Sequence, residues 1–314
     1  MKTLILHIGY PKTGTSSLQW FLNAWRDELR RQDVYYPLAG QGSDYAHHKL
    51  AFSLAANAYE SWETRERTAL FKQLTEEIDG CGCSTIVISS ELFLGRLELI
   101  QASEEFQGLL AGKKLKVVCC LRSQETFLES LYRQFILDPT VKFSDTPEVF
   151  LKDYPMAGEY HAILTAWSGL VGKDTLVPLI YEQAVNSGGL LATFCRLLNV
   201  DTAHLPADDL DARKNVTTEN ALGIEIVRMS NAVPDLSIEQ RLEIGRAARA
   251  FAESTGHLPL PKRIFSDVHL ERIHSLFADT NRRLAEDFVH QPLNGFWFAP
   301  DAVASPLEAG LLLK

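Results

Sequence analysis

The sequence lacks a run of apolar residues long enough to cross a bilayer, which takes about 20 consecutive residues. It also lacks a basic excess: the formal net charge is -9, whereas a general nucleic-acid binder carries a basic face. None of its five cysteines forms a C-x-x-C pair, so we expect buried, reduced thiols. No linker, repeat or low-complexity block interrupts the chain, which favours a single domain over residues 1–314. These absences predict a soluble, cytoplasmic protein without stable membrane insertion and without a nucleic-acid partner.

Short apolar runs bounded by turn residues alternate with helical patterns in the first part of the chain. The runs are Thr3–Ile8, Val34–Tyr36, Thr85–Ser89, Leu115–Leu121 and Thr175–Tyr181. The last run is the weakest candidate, because Pro178 has no N–H to donate to a neighbouring strand. After residue 217 the patterns are mostly helical, at 220–231, 237–255 and 266–289, and the apolar tail 299–314 has no clear period. The sequence therefore predicts a three-layer α/β fold with a central parallel sheet of about five strands and a helix-rich C-terminal half.

The loop after the first apolar run is rich in groups that bind an oxyanion. It continues from Gly9 to Ser17 and leads directly into a helical pattern. Ligands of open parallel sheets bind beyond the carboxyl ends of the strands, and the first amides of a helix attract an anion. Gly14 lets the backbone approach a ligand, Lys12 adds a mobile positive charge, and the hydroxyl residues supply donors. The loop therefore predicts a site for a phosphate or sulfate ester.

Two other interpretations of this loop remain open. A Walker A loop has the pattern G-x-x-x-x-G-K-[ST], with the lysine after the second glycine. Lys12 precedes Gly14, so the sequence does not match that pattern, and we see no clear Walker B carboxylate. A plain strand-to-helix turn with capping hydroxyls is the other alternative.

The segment Pro11-Lys12-Thr13-Gly14-Thr15-Ser16 resembles the 5′-phosphosulfate loop of sulfotransferases, P-K-[ST]-G-T-[TS]. That family uses 3′-phosphoadenosine 5′-phosphosulfate (PAPS) as its sulfuryl donor. Its 3′-phosphate site has an arginine at the end of a later strand and a serine eight residues on, usually followed by a tyrosine. Arg122, Ser130 and Tyr132 have this arrangement. Two independent motifs in the expected order carry the resemblance.

The resemblance implies a P-loop-like sulfotransferase fold, PAPS as donor substrate, its desulfated product PAP, and no metal. It implies that Lys12 is catalytic and that Arg122 and Ser130 bind the 3′-phosphate. The residues implied to hold the 5′-phosphosulfate are Pro11, Lys12, Thr13, Gly14, Thr15, Ser16 and Ser17. Arg213 and Lys214 could contact the 3′-phosphate as a basic loop does in relatives, and a solvated charge pair is an equal alternative.

Two departures bear on the branch of the family. The family often has Arg-x-Pro at the second motif, whereas this sequence has Arg122-Ser123-Gln124. Cytosolic eukaryotic members stack a tryptophan on adenine just after the first motif, and this sequence has Ser17 at that position. These differences point toward the bacterial and carbohydrate-type branch. A saccharide or glycolipid hydroxyl is therefore the preferred acceptor, with a small alcohol, phenol or amine as alternatives. The residue that stacks on adenine and the oligomeric state remain open.

The general base is predicted from a carboxylate at another strand end. Glu91 follows Thr85–Ser89, and carbohydrate-type sulfotransferases often place a glutamate near this position. A helix-cap carboxylate or a structural ion pair are the alternatives for Glu91. The histidine pair His47 and His48 is the second candidate, with His48 acting on the acceptor, and adjacent histidines do not predict a metal site. A nucleotide kinase and a non-catalytic PAPS-binding protein are the competing functions.

Overall fold

The computed structural model describes residues 1–54, 63–210, 221–255 and 263–290, together with Leu293 and Trp297. The strands are β1 (Thr3–His7), β2 (Val34–Tyr35), β3 (Thr85–Ser89), β4 (Lys114–Leu121) and β5 (Leu176–Ile180). The α-helices are α1 (Thr15–Ala24), α2 (Arg26–Arg31), α3 (His48–Ser53), α4 (Thr64–Gly80), α5 (Leu97–Ala102), α6 (Glu104–Leu110), α7 (Gln124–Leu137), α8 (Pro147–Asp153), α9 (Tyr160–Val171), α10 (Tyr181–Asn186), α11 (Leu190–Leu198), α12 (Ala207–Leu210), α13 (Ala221–Asn231), α14 (Ile238–Ser254) and α15 (Asp267–Leu284). A π-helical turn, Ala285–Val289, continues α15.

The five strands form one parallel sheet in the order β2-β3-β1-β4-β5. At the carboxyl end of β1, His7 lies opposite Ser89 of β3 and Val118 of β4. The chain fills one side of β1 with β2 and β3 and then the other side with β4 and β5. The connections after β1 and β4 therefore diverge, which opens the crevice where parallel sheets bind ligands. The predicted α/β fold with a five-stranded parallel sheet is confirmed.

Strand β5 is the last in the sheet order, and Pro178 lies within it, opposite Cys119 of β4. A proline is tolerated in an edge strand because its missing N–H costs no bond to a second neighbour. The strand that the sequence marks as weakest is therefore real, and its position at the edge explains why it accepts a proline.

The chain packs as two compact units. The first comprises Met1–Arg122, Tyr160–Asn215 and Asp287–Val289, and the second comprises Ser123–Glu159, Val216–Glu286 and His290–Lys314. The first unit contains the sheet. The second is built from α7, α8, α13, α14 and α15, with no strand among its described residues. The expectation of a single domain over 1–314 stays a prediction, and the predicted tail 299–314 lies outside the described residues.

One core of the first unit lies where α1 and α11 pack on the sheet. Their apolar faces contact side chains from the three central strands, and the members include Leu18, Phe21, Leu22, Leu191, Phe194, Leu198, Ile5, Val87 and Val118. The helices present these residues at the three- and four-residue spacing of an amphipathic helix, and the strands supply branched side chains that fill the pleat. This packing fixes α1, and with it the loop that precedes the helix.

The second unit has an aromatic core and a buried amide pair. Tyr132 of α7 lies 5.2 Å from Phe150 and 5.9 Å from Phe265, measured between ring centroids. The Gln124 amide donates to Asn281 Oδ1 at 2.7 Å, and the Asn281 amide donates to Gln124 Oε1 at 3.1 Å. These two bonds tie α7 to α15 while satisfying both buried amides.

No helix in the described ranges combines the length and the apolar character needed to cross a membrane.

Replacing Phe21 with alanine should reduce the free energy of unfolding by about 3–5 kcal/mol, the usual cost of emptying a buried aromatic site. Phe21 is 1% exposed in the core of the first unit. Leu38→Ala is the control, since Leu38 is 59% exposed and its loss should change stability by no more than about 0.5 kcal/mol. Urea unfolding measures both variants. Equal effects of the two substitutions would show that α1 is not anchored by this core.

Candidate active site

The loop between β1 and α1 has the backbone that the oxyanion interpretation needs. Gly14 is the N-cap of α1 with φ 82°, a left-handed conformation that favours glycine. A Cβ at this position would lie 2.6 Å from Leu190 Cδ2, so a larger residue would also require that side chain to move. A glycine N-cap contributes no side-chain oxygen to the first turn of α1, and the helix dipole favours an anion there.

The hydroxyl residues of the loop do not all face the same way. Thr13 is 1% exposed, and its hydroxyl donates to the carbonyl of Tyr10 at 2.5 Å, which stabilises the turn itself. Thr15 Oγ1 lies 3.5 Å from Glu91 Oε1. Ser17 is buried and Ser16 is half-buried. The loop thus uses at least one of its predicted donors to hold its own shape.

Two cations meet at this loop, although they are distant in sequence. Arg122, which follows β4, donates from Nη1 to the carbonyl of Lys12 at 3.0 Å. Its guanidinium also lies over the ring of Tyr181, 5.2 Å from the centroid, and its own carbonyl accepts from the Tyr160 hydroxyl at 2.7 Å. The Lys12 carbonyl and the Tyr181 ring thus orient the guanidinium, and Tyr160 holds the backbone of Arg122. The structure places the Arg122 guanidinium against the backbone of Lys12, and the phosphate-binding roles of the two residues stay predictions.

The surroundings of Lys12 favour an anion. Partial burial lowers the pKa of its ammonium, and the positive charge of Arg122 lowers this pKa further, while Glu91 opposes the shift. Two like charges at a partly desolvated strand end repel each other. A phosphate or sulfate group bound here would reduce that repulsion, so this arrangement of charges is able to accommodate an anion.

Glu91 lies on the other side of the Lys12 loop, where β3 ends. It is the first residue of a short 3-10 turn, Glu91–Phe93, and Ser90 caps that turn by accepting from the amide of Leu92 at 3.3 Å. Glu91 Oε2 accepts from Gln19 Nε2 at 3.0 Å, and Oε1 lies 3.9 Å from His48 Nε2. The carboxylate is therefore held from α1 and α3 and faces the loop that carries Lys12.

The two adjacent histidines have different roles. His47 is fully buried: its Nε2 donates to the carbonyl of Pro37 at 3.0 Å and its Nδ1 accepts from the amide of Ser89 at 3.2 Å. Burial lowers its pKa to about 3, so the ring is neutral. Both nitrogens are used for the fold, which excludes His47 from a role as base in this conformation.

His48 is oriented by hydrogen bonds at both nitrogens. Its Nδ1 lies 2.7 Å from Ser90 Oγ, and its Nε2 lies 3.2 Å from Asp44 Oδ2. A nitrogen that faces the carboxylates of Asp44 and Glu91 keeps its proton, because its lone pair would be repelled by both. The nitrogen of His48 nearest Glu91 is consequently a donor. This orientation favours Glu91 over His48 as the proton acceptor.

The remaining predicted residues are Ser130, Arg213, Lys214 and Pro11. Ser130 is half-buried in α7, which belongs to the second unit, so its pairing with Arg122 stays a sequence prediction. Arg213 and Lys214 lie outside the described residues. Pro11 is half-buried in the loop.

The sequence did not reveal four contributors to the cluster, namely Gln19, Ser89, His7 and Asp44. Gln19 and His7 did leave a signal, because each is a polar residue next to an apolar one that lies in the core, Leu18 of α1 and Leu6 of β1 respectively. His7 is 2% exposed and its Nδ1 lies 2.8 Å from Ser89 Oγ. A polar side chain at a core position predicts a buried hydrogen-bond partner. The partner itself could not be read from the sequence.

Comparison with known proteins identified similar proteins but no family. No model of a protein family matches the chain. An uncharacterized protein of Archaeoglobus fulgidus is 25% identical over 160 residues, which is 51% of this chain and 42% of the relative. The match thus spans less than half of that relative's length. A sulfotransferase from Alicyclobacillus acidocaldarius has a similar structure over 80% of this chain and 96% of its own, with 16% identity and a TM-score of 0.44.

The buried histidines should make the protein sensitive to acid. Burial lowers the pKa of His7 to about 4 and that of His47 to about 3, against 6.5 for an exposed histidine. Below about pH 6.5 the unfolded chain binds protons that the native state does not, so the free energy of unfolding should fall as the pH drops toward 4. The expected slope is about 1.4 kcal/mol per pH unit for each histidine.

Imidazole nitrogen NMR across the pH range, combined with urea unfolding at each pH, measures this effect. His47→Gln removes one titrating group and keeps a donor and an acceptor, so it should reduce the slope of stability against pH. A His47 ring that takes up a proton near pH 6.5 in the folded protein would contradict its place in the core.

Proposed function

We propose that the protein is a sulfotransferase that moves a sulfuryl group from PAPS to an acceptor hydroxyl. The observation that carries the proposal is the grouping of Lys12, Arg122 and Glu91 at the carboxyl edge of the sheet. Two cations and a glycine-capped helix suit the phosphates of the donor. A carboxylate beside them suits the removal of a proton from the acceptor. A saccharide or glycolipid hydroxyl is the proposed acceptor.

The geometry of the loop suggests a role for each residue that would bind the donor. The loop residues 11–17 would hold the 5′-phosphosulfate, with backbone amides at the start of α1 facing the phosphate. Lys12 would neutralise the charge that grows on the leaving 5′-phosphate oxygen as the sulfur–oxygen bond breaks. Arg122 would bind the 3′-phosphate, together with Ser130 and the pair Arg213 and Lys214, whose roles rest on the sequence alone. No metal is needed for these roles.

Glu91 would take the proton from the acceptor hydroxyl. As the acceptor oxygen bonds to sulfur, its proton would pass to Glu91 Oε1, the carboxylate oxygen that Gln19 does not bind. His48 would orient the acceptor as a donor, since its Nε2 keeps a proton. By analogy with phosphoryl transfer, an in-line path with a loose transition state leaves the protein mainly positioning and charge stabilisation to supply. Catalysis would then depend on where the side chains are held.

The donor is tested by thermal unfolding with PAP and with ATP. PAP should raise the melting temperature, because a ligand that binds only the native state at 100 times its Kd adds about 2.7 kcal/mol to the free energy of unfolding. ATP should stabilise far less, because it lacks the 3′-phosphate that Arg122 is proposed to bind. Arg122→Ala should weaken PAP binding by about 1.5–3 kcal/mol, the value of a charge-assisted hydrogen bond. Equal stabilisation by the two nucleotides would favour the kinase interpretation instead.

The base is tested once an acceptor has been found by screening hydroxyl compounds with labelled PAPS and mass spectrometry. Glu91→Gln preserves the shape of the side chain, removes the base, and should lower turnover by roughly 10²–10⁴ with PAP binding nearly unchanged. His48→Ala should act mainly on the KM of the acceptor. A fully active Glu91→Gln variant and an inactive His48→Ala variant would transfer the role to His48. Normal PAP binding without turnover on any acceptor would favour the non-catalytic alternative.

A further inference from the structure

A chain of buried polar side chains lies directly beneath Glu91. It runs from His7 of β1 through Ser89 of β3 to Gln19 of α1, and these residues are 2%, 0% and 2% exposed. The contacts are 2.8 Å from His7 Nδ1 to Ser89 Oγ, 3.3 Å from Gln19 Nε2 to Ser89 Oγ, and 3.0 Å from Gln19 Nε2 to Glu91 Oε2. The chain ends at the carboxylate.

We propose that Gln19 is a positioning residue that binds one oxygen of Glu91 and leaves the other oriented toward the acceptor. The inference rests on the proposed function, because it concerns the orientation of the proposed base. The two sequence motifs and the histidine pair do not identify Gln19 as a functional residue.

The donors and acceptors of the chain can be assigned from Glu91 to His7, with Gln19 donating to both of its neighbours. The carboxylate of Glu91 only accepts, so the amide of Gln19 must turn its NH₂ group toward it. The same NH₂ group has a second hydrogen, which Ser89 Oγ accepts. His7 is neutral, because burial lowers its pKa to about 4. Its Nδ1 can therefore accept the Ser89 hydroxyl proton. Every link then has one donor and one acceptor, which fixes the rotamer of Gln19.

The two oxygens of Glu91 consequently differ. Oε2 is held at 3.0 Å by a side chain that is almost wholly buried and has little freedom to move. Oε1 has longer contacts, 3.5 Å to Thr15 Oγ1 and 3.9 Å to His48 Nε2. A carboxylate with one oxygen fixed from below and the other more weakly held can accept a proton without losing its orientation.

Stability alone does not account for this chain. The neighbours of Gln19 on the buried face of α1 include Leu18 and Leu22, and an apolar residue at position 19 would extend that face. Replacing all the partners of a buried polar contact by apolar groups of similar size is often neutral or stabilising, so stability does not require a polar chain here. A polar side chain at this position has a contact that an apolar residue could not make, namely the one to Glu91.

Gln19→Met tests the proposal, because methionine has nearly the volume of glutamine and no hydrogen bond to offer. We expect kcat to fall about 10-fold or more with PAP affinity little changed, and the melting temperature to fall moderately, because Ser89 Oγ and Glu91 Oε2 lose a donor. Leu22→Met is the matched control on the same buried face and should leave kcat unchanged, since volume-conserving core changes are well tolerated. In a Glu91→Gln background the Gln19→Met change should have no further effect on kcat, as expected if the two residues act as one unit.

Gln19→Glu adds a second measurement, the pH profile of kcat, which should not change if Gln19 served only to stabilise the fold. A second carboxylate beside Glu91 would make the two compete for one negative charge, so the acid limb of the kcat profile should move to higher pH. Among the described residues, the ionisable groups that interact with Glu91 include Lys12, His48, His7 and Tyr36, and each of them is still present in this variant. An unchanged profile would contradict the proposal.

Crystal structures of the wild type and of Gln19→Met separate this inference from the proposed function. They need no acceptor and no turnover. The Glu91 carboxylate should leave its wild-type position, or adopt several, when Gln19 is replaced. If it stays in place, or if Gln19→Met is as active as Leu22→Met, the positioning role is overturned. If it moves while PAP fails to bind the wild type, the positioning is real and the proposed function is the part that fails.

Discussion

The candidate site depends on the position of β1 between two parallel neighbours. The amide of Ser90 donates to the carbonyl of His7 at 3.0 Å, and the amides of Ile8 and Tyr10 donate to Val118 and Cys120 of β4 at 3.0 and 2.8 Å. This pairing brings the ends of β3, β1 and β4 to one edge, separated by the strand spacing of about 4.8 Å. The three segments that follow carry Glu91, Lys12 and Arg122. A shift of register would move these side chains apart, since alternate residues face opposite sides of a sheet.

The same edge gathers charges that would be separated on an open surface. Lys12 and Arg122 repel each other in a partly desolvated loop, and burial and that repulsion together lower the pKa of Lys12. The hydrogen bond from Arg122 to the Lys12 carbonyl and its contact with the Tyr181 ring offset this repulsion. Groups oriented before a ligand arrives need little reorganisation when it binds or reacts, which is where preorganised sites gain their effect.

Local features were predictable from the sequence, and long-range ones were not. The strand Thr85–Ser89 was predicted with the bounds the structure has, because a continuous apolar run between turn residues is a local property. Gln19, by contrast, meets partners 70 and 72 residues away, and no local pattern identifies them. His47 and His48 are adjacent in sequence, yet one ring enters the core and the other meets Asp44, which depends on packing. The grouping of residues 123–159 with the C-terminal helices likewise depends on tertiary contacts.

The structural interpretations of Glu91 can be weighed against other carboxylates of the same chain. Structural ion pairs here are close: Glu105 lies 3.0 Å from Arg67, and Glu129 lies 2.8 Å from Arg133. Glu91 has no such partner among the described residues, since its ion-pair contact is to His48 at 3.9 Å. The cap of its turn is Ser90, so the carboxylate does not serve that purpose either. Glu91 is held by a neutral amide and is partly exposed where β3 ends, and neither structural role applies to it, which supports the proposal that it is the base.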